Sequence, residues 1–149
     1  MIKYVWQLIP NVGISLNDTK ISFGQERAEV NRLMAKHFSP PEEGSYPEED
    51  DFLNDDESIS IRIRYDGTQV TDIEFLGGSL QYQGIELHSD VTLDDVEKAL
   101  LDKNLTIRDA EWLGEGKDCL ELGINIATHD NVGGDGDGIE WIIMSATFE

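Results

Sequence analysis

An α+β domain, with an antiparallel β-sheet and two short helices packed on it, is the fold this sequence predicts, and three observations predict it. Apolar and polar residues alternate in several stretches, as in Ile59, Ile61, Ile63 and Tyr65, which is the period of a half-buried strand. Two other stretches, about 24–37 and 92–103, carry apolar residues at helical spacing. The strand-like stretches are punctuated by turn residues, Asp66–Gly67 above all, as hairpins are. A chain of 149 residues suits one domain, and such a domain buries roughly 70% of its unfolded surface without help from metals or disulfides.

Each element follows in order. Ile2, Tyr4, Trp6 and Leu8 share one face of a first strand at residues 2–9, which "PNVG" ends. Ile14 to Phe23 reads as a second short strand or a hairpin around "LNDT". Ser22 with Gln25 has the spacing of a capping box, and Val30, Leu33, Met34 and His37 stand at i, i+3, i+4 and i+7. A helix is therefore expected over about 24–37, stopped by "SPP", because proline disfavours helix in itself and in the residue before it. Pro40 to Ser58, "PPEEGSYPEEDDFLNDDES", holds nine acids and is expected to be a mobile acidic loop. "SISIRIRYDGTQVTDIEF" then predicts a long hairpin turning at Asp66–Gly67, with Ser60, Arg62 and Arg64 on its polar face. One or two strands run through "SLQYQGIELH". Thr92 and Asp95 cap a second helix over about 92–103, whose apolar face is Leu93, Val96, Ala99 and Leu100. Final strands are expected around 118–128 and 139–148. Each half thus has an entering strand, a capped helix and a long hairpin, an architectural parallel without matching residues.

Charge narrows the function. Thirty-one acids against eleven bases leave a net of −20, which argues against direct binding to nucleic acid and to anionic membrane surfaces. It permits attraction to a cationic partner, and it also serves solubility alone. No apolar run reaches the ~20 residues of a membrane span. "MIKYVWQLIP" reads as a strand and not as a signal peptide. The single cysteine, Cys119, excludes an intrachain disulfide and agrees with a cytoplasmic location. Asp118 and Glu121 beside it would raise a thiol pKa, so Cys119 is read as an inert, partly buried thiol.

The chemistry-bearing motifs are few. "HDNVGGDGDGIEW", His129 to Trp141, sets three aspartates among four glycines. A calcium loop wants carboxylates at alternate positions and a bidentate glutamate near position twelve. Asp135 and Asp137 alternate, but Ile139 follows and no acid lies between Trp141 and Ala146. No Lys-Ser/Thr follows the glycines, so the segment is not a phosphate loop. It reads as the connection between two strands, with a metal site and a partner-contact loop as the alternatives. His37 falls at a helix end, and His88 and His129 lie in separate contexts without metal-ligand spacing. No nucleophile–base motif stands out. The expectation is a protein with no catalytic residues, no metal and no cofactor.

The runs "KISFGQERAEVNRLM", "SISIRIRYDGTQVTDIEFL" and "GIELHSDVTLDDVEKALL" resemble immunity proteins of bacterial polymorphic-toxin and contact-dependent inhibition systems. The resemblance covers roughly residues 19–105. It implies a small cytosolic protein that binds a cognate toxin domain, often a nuclease, and blocks its active site. Binding surfaces in such proteins are specific to each partner, so no functional residue carries over. The acidic balance suits a basic nuclease. The contacts then expected are Glu48, Glu49, Asp50, Asp51, Asp55 and Asp56 on the long loop, and Asp130, Asp135 and Asp137 on the last connection. Tyr46 and Phe52 are either aromatic anchors for that partner or tethers that fold back onto the body. The alternative is an acidic interaction or regulatory domain of unrelated role.

Overall fold

The computed structural model describes residues 5–43, 46–88, 90–111 and 115–147, and their strands fall into two sheets. The first contains β1 (Val5–Ile9), β2 (Gly13–Leu16), β3 (Thr19–Ser22), β8 (Ser79–Tyr82) and β9 (Ile85–His88), in the order β3-β2-β1-β8-β9. The second contains β4 (Glu42–Glu43), β5 (Glu49–Leu53), β6 (Ile59–Asp66), β7 (Gln69–Phe75), β10 (Arg108–Asp109), β11 (Lys117–Cys119), β12 (Ile124–Thr128) and β13 (Ile139–Ser145). Its order is β10-β11-β12-β13-β7-β6-β5-β4, antiparallel throughout. The α+β class and the antiparallel bias match the sequence reading; the division into two sheets does not follow from it. One pair, β1 with β8, is parallel, which needs a long crossover. The chain supplies it by leaving the first sheet through helix α1 (Arg27–Met34), building β4 to β7, and returning. It crosses again through helix α2 (Leu93–Leu101). No helix among the described residues is long and apolar enough to cross a membrane.

The helices differ at their starts. Thr92 and Asp95 form the capping box expected for α2, each side chain bonded to the other's backbone N–H at 3.2 Å. Gln25 instead accepts from the Ser22 N–H ahead of α1, whose own N-cap, Glu26, makes no side-chain cap. α1 is shorter than expected: after Met34 the chain tightens into turns, and His37 N–H bonds back to the Met34 carbonyl at 3.0 Å.

Both sheets and both helices share one apolar cluster, including Trp6, Ile14, Val30, Phe75, Leu100 and Ile142. The segment 40–58 is not the solvated loop its composition predicts. Glu49–Leu53 is a strand paired along β6, and Phe52 is 1% exposed with its ring 5.7 Å from that of Phe38. Phe52 therefore folds into the body, whereas Tyr46 stays 59% exposed. Residues 44 and 45 of this stretch lie outside the described residues, as do 2–4 and 148 of the first and last expected strands.

The parallel between the halves is structural and close. β2 and β3 recur 66 positions later as β8 and β9 (13 to 79, 19 to 85), and α1 recurs as α2 (27 to 93). The buried pairs Ile14 and Leu80, Ile21 and Leu87, Val30 and Val96, and Met34 and Leu100 keep that spacing. In the hairpin turns, Asn17 and Gln83 occupy the same place with the same unusual backbone, φ 52° and 47°. In the second sheet, the meanders β4–β7 and β10–β13 join through their last strands. The last hairpin of each carries a bulge at the same place: Arg64 faces Asp72 and Tyr65 faces Val70, while Ala127 faces Trp141 and Thr128 faces Ile139. The helix entry is clasped to the turn of the last hairpin in both halves. Glu26 bridges Gln69 and Arg27 N–H bonds to Thr68 O at 2.7 Å; Thr92 bridges Gly138 and Leu93 N–H bonds to Asp137 O at 3.0 Å. The described chain is thus a duplicated unit of hairpin, helix and meander.

Deleting Glu42 to Asp51 removes most of β5 and should abolish cooperative unfolding in urea. Phe52→Ala should cost about 3–5 kcal/mol in the same assay. A loss below about 1 kcal/mol for both variants would return this segment to the surface.

Candidate functional site

The two halves diverge most in length at the turn of the last hairpin. Four residues separate Tyr65 from Val70, and ten separate Thr128 from Ile139. In the first half the loop is Gly67–Thr68; the positive φ falls on Gly67 alone (62°), as a type II′ hairpin turn requires. In the second half the acidic glycine-rich connection is folded on itself. A 3₁₀ turn spans His129–Val132. Asn131 Oδ1 accepts from the backbone N–H and hydroxyl of Thr128 at 2.9 and 3.0 Å. Gly134 N–H bonds to His129 O at 2.8 Å, and Asp130 exchanges two bonds with Gly136, backbone to backbone at 3.0 Å and carboxylate to N–H at 2.8 Å. Gly136, at φ 104°, adopts a backbone that a side chain would strain. His129 Nδ1 meets the Glu140 carboxylate at the base. The segment is a hairpin connection, but a built one.

Asp130, Asp135 and Asp137 are all exposed on it, so the sequence-predicted second patch does lie together on one connection. Through the clasp at Leu93 and Asp137 it adjoins the first turn of α2, where Asp94 and Asp95 are also exposed. Acids in a helix's first turn are favoured by its dipole, which offsets part of their mutual repulsion.

The outer face of the second sheet diverges with it. Equivalent positions about the bulges place Arg62, Arg64, Asp72 and Glu74 in the first half, and Asn125, Ala127, Trp141 and Ile143 in the second. In the first set Arg62, Arg64 and Glu74 belong to a lattice of ion pairs. Arg62 bonds Asp51 at 2.7 Å and approaches Glu74 at 3.5 Å, while Arg64 bonds Glu49 at 2.5 Å and Glu74 at 3.3 Å. Burial raises the Glu74 carboxyl above its usual range, and Arg64 and Arg62 oppose that shift. The second set carries no charge, and all of it but Asn125 is apolar. Trp141 and Ile143, with Leu76 and Val132, floor a cleft of about 520 Å³ rimmed by Arg62, Glu74, Glu115 and Glu140. Buried Asn125 fixes the indole: its Oδ1 accepts from Trp141 Nε1 at 2.8 Å, while its Nδ2 donates to Asp118 and to the Glu115 carbonyl, both at 2.9 Å. Val132, 38% exposed, comes from the acidic connection itself.

The first predicted patch is divided. Glu48, Asp55 and Asp56 are exposed. Glu49, Asp50 and Asp51 are buried, with Glu49 only 1% exposed, and each is claimed by an arginine. Asp50 takes a forked pair from Arg27 (Nη2 to Oδ1 at 2.6 Å, Nε to Oδ2 at 3.1 Å), and the Arg27 guanidinium lies 4.7 Å over the Tyr65 ring. These three acids hold the fold and offer no open surface to a partner. Trp141, Val132 and Glu115 were missed by sequence reasoning; Trp141 reads there as one more strand aromatic.

The remaining reactive groups are structural. His37 sits edge-on to Trp6 and bonds Thr19 at 2.8 Å, and burial lowers its pKa. The His88 ring lies between the carbonyls of Gly78 and Glu140, stitching the sheets together. Cys119 is fully buried, its thiol pushed up to about 11 chiefly by that burial. Among the described residues no group of three or more His, Cys, Asp or Glu is placed to hold a metal ion. No family model, curated protein or solved structure matches the chain.

Asp50→Ala should destabilise by about 3 kcal/mol, since it strands the Arg27 cation, while Asp55→Asn and Asp135→Asn should each stay within ~0.5 kcal/mol in denaturant titrations. For Cys119 the unfolded thiol ionises near 9 and the folded one near 11, so its contribution is intact below pH 9 and is lost as pH rises toward 11. Cys119→Ala should flatten the fall in stability over that window; an unchanged slope would assign the fall to other groups.

Proposed function

We propose that this chain is an acidic inhibitor of the immunity type, which binds a cognate cationic toxin domain, a basic nuclease, and covers its active site. One observation carries the reading. A duplicated fold has elaborated a tight turn in only one half, into an exposed acidic connection beside an aromatic-floored cleft. The first half shows that four residues suffice to close that hairpin, so closure does not account for the other six. Elaborated loops on a rigid scaffold are where binding is placed. The net charge of −20 and the resemblance in the runs at 19–105 fit a cationic protein partner. Acids on the connection and on the first turn of α2 speed encounter, while the apolar floor supplies the desolvated contact that charge alone lacks. A basic nuclease loses access to its anionic substrate once such a surface covers its groove. The proposed site of action is the cytosol, where a lone buried thiol stays reduced.

The test is co-expression with the basic toxin domain encoded beside its gene. The expected outcome is cell survival and a stable complex whose association slows markedly between low and high salt. Unrelieved toxicity with no complex would leave an acidic interaction domain of unrelated role.

A further inference from the structure

We infer that the Trp141 cleft is an anchor pocket for an arginine side chain of the partner; this rests on the reading that the partner is a cationic protein. The cleft is apolar at its floor and acidic at its rim. Among the described residues that line it the one cation, Arg62, is already matched by Asp51 and Glu74. Glu115 and Glu140 stand at the rim beyond that lattice, and Asp130, Asp135 and Asp137 extend the same sign along the adjoining connection. An incoming cation therefore meets the exposed Glu115 carboxylate without displacing an ion pair, while the Glu140 carboxylate beside it is shared with His129. A planar guanidinium suits this place better than an ammonium, because it can lie on an indole face while its N–H fork reaches carboxylate oxygens, and it is more weakly hydrated.

The molecule already contains this chemistry once. In the first half Arg27 lies 4.7 Å over the Tyr65 ring with the Asp50 carboxylate on its fork. In the second half Leu93 takes the place of Arg27 and Thr128 that of Tyr65, so no internal guanidinium is supplied there. The aromatic surface has moved to the outer face instead, at Trp141. Asn125 holds the indole by its edge, which fixes the ring before any ligand arrives. Such pre-organisation lowers the ordering cost of binding.

The probe is a hexa-arginine peptide, with hexa-lysine as its control, followed on the ¹⁵N-labelled protein through the indole N–H resonance of Trp141. Hexa-arginine should shift that resonance and bind several-fold more tightly than hexa-lysine. Trp141→Leu should weaken it roughly tenfold. Glu115→Lys, on an exposed residue that leaves the fold intact, should weaken it by a similar factor. An unmoved Trp141 resonance with binding elsewhere, or full affinity in both variants, would overturn the inference and leave the inhibitor reading standing. Arginine captured at Trp141 without any complex with the toxin domain would uphold the pocket and remove the inhibitor reading instead.

Discussion

Three consecutive carboxylates, Glu49, Asp50 and Asp51, run through the interior of a protein with a net charge of −20, and the fold depends on their partners. Alternation along β5 sends Glu49 and Asp51 to the outer face and Asp50 toward α1. Arg64 and Arg62, neighbours on β6, meet the first two; Arg27, at the start of α1, meets the third. Each carboxylate would be strongly unfavourable there alone, because a buried charge without a partner costs several kcal/mol. The pairing also fixes geometry. It sets the register of β5 on β6 and anchors the entry of α1, whose backbone is clasped to the β6–β7 turn. Three of the eleven basic residues are thereby committed to internal acids, which leaves the exposed surface still more one-sided in charge.

Duplication turns that arrangement into a comparison within one molecule. The first half fills its outer sheet face with ion pairs and closes its hairpin tightly. The second half keeps the hairpin, the helix, the bulge and the clasp, but places Trp141 and Ile143 where the first has Asp72 and Glu74. Ala127, opposite Trp141, is small where Arg64 is long, which leaves the cleft unfilled. The same backbone thus carries a self-satisfied face and an open one. The open face is bordered by the hairpin connection that differs most in length between the two meanders, four residues in the first and ten in the second.

Much of the architecture was legible in the sequence, for identifiable reasons. The β6–β7 hairpin declared itself through strict alternation and one glycine, and α2 through its capping box and apolar stripe. Strand β5 stayed hidden because its three acids mask the alternation, and the arginines that neutralise them lie 11 to 23 residues away. The duplication showed in the sequence only as a parallel order of elements, because most matching positions share burial and not identity, as Thr19 and Ile85 do. The acids of the last connection, Asp130, Asp135 and Asp137, do lie exposed. Their neighbour Trp141 was missed, since a strand aromatic points to the core or to solvent according to a bulge that leaves no sequence signature.

In the proposed reading the second half keeps the scaffold of the first and adds a binding element to it. Grafting the four-residue connection Asp66–Gln69 in place of His129–Gly138 tests it directly, with stability and affinity for the basic toxin domain measured on the same sample. The grafted protein should unfold cooperatively within about 2 kcal/mol of the parent, since the equivalent half already folds with that turn, and its affinity should fall by about a hundredfold. A grafted protein that folds and binds the toxin domain as tightly as the parent would contradict that reading.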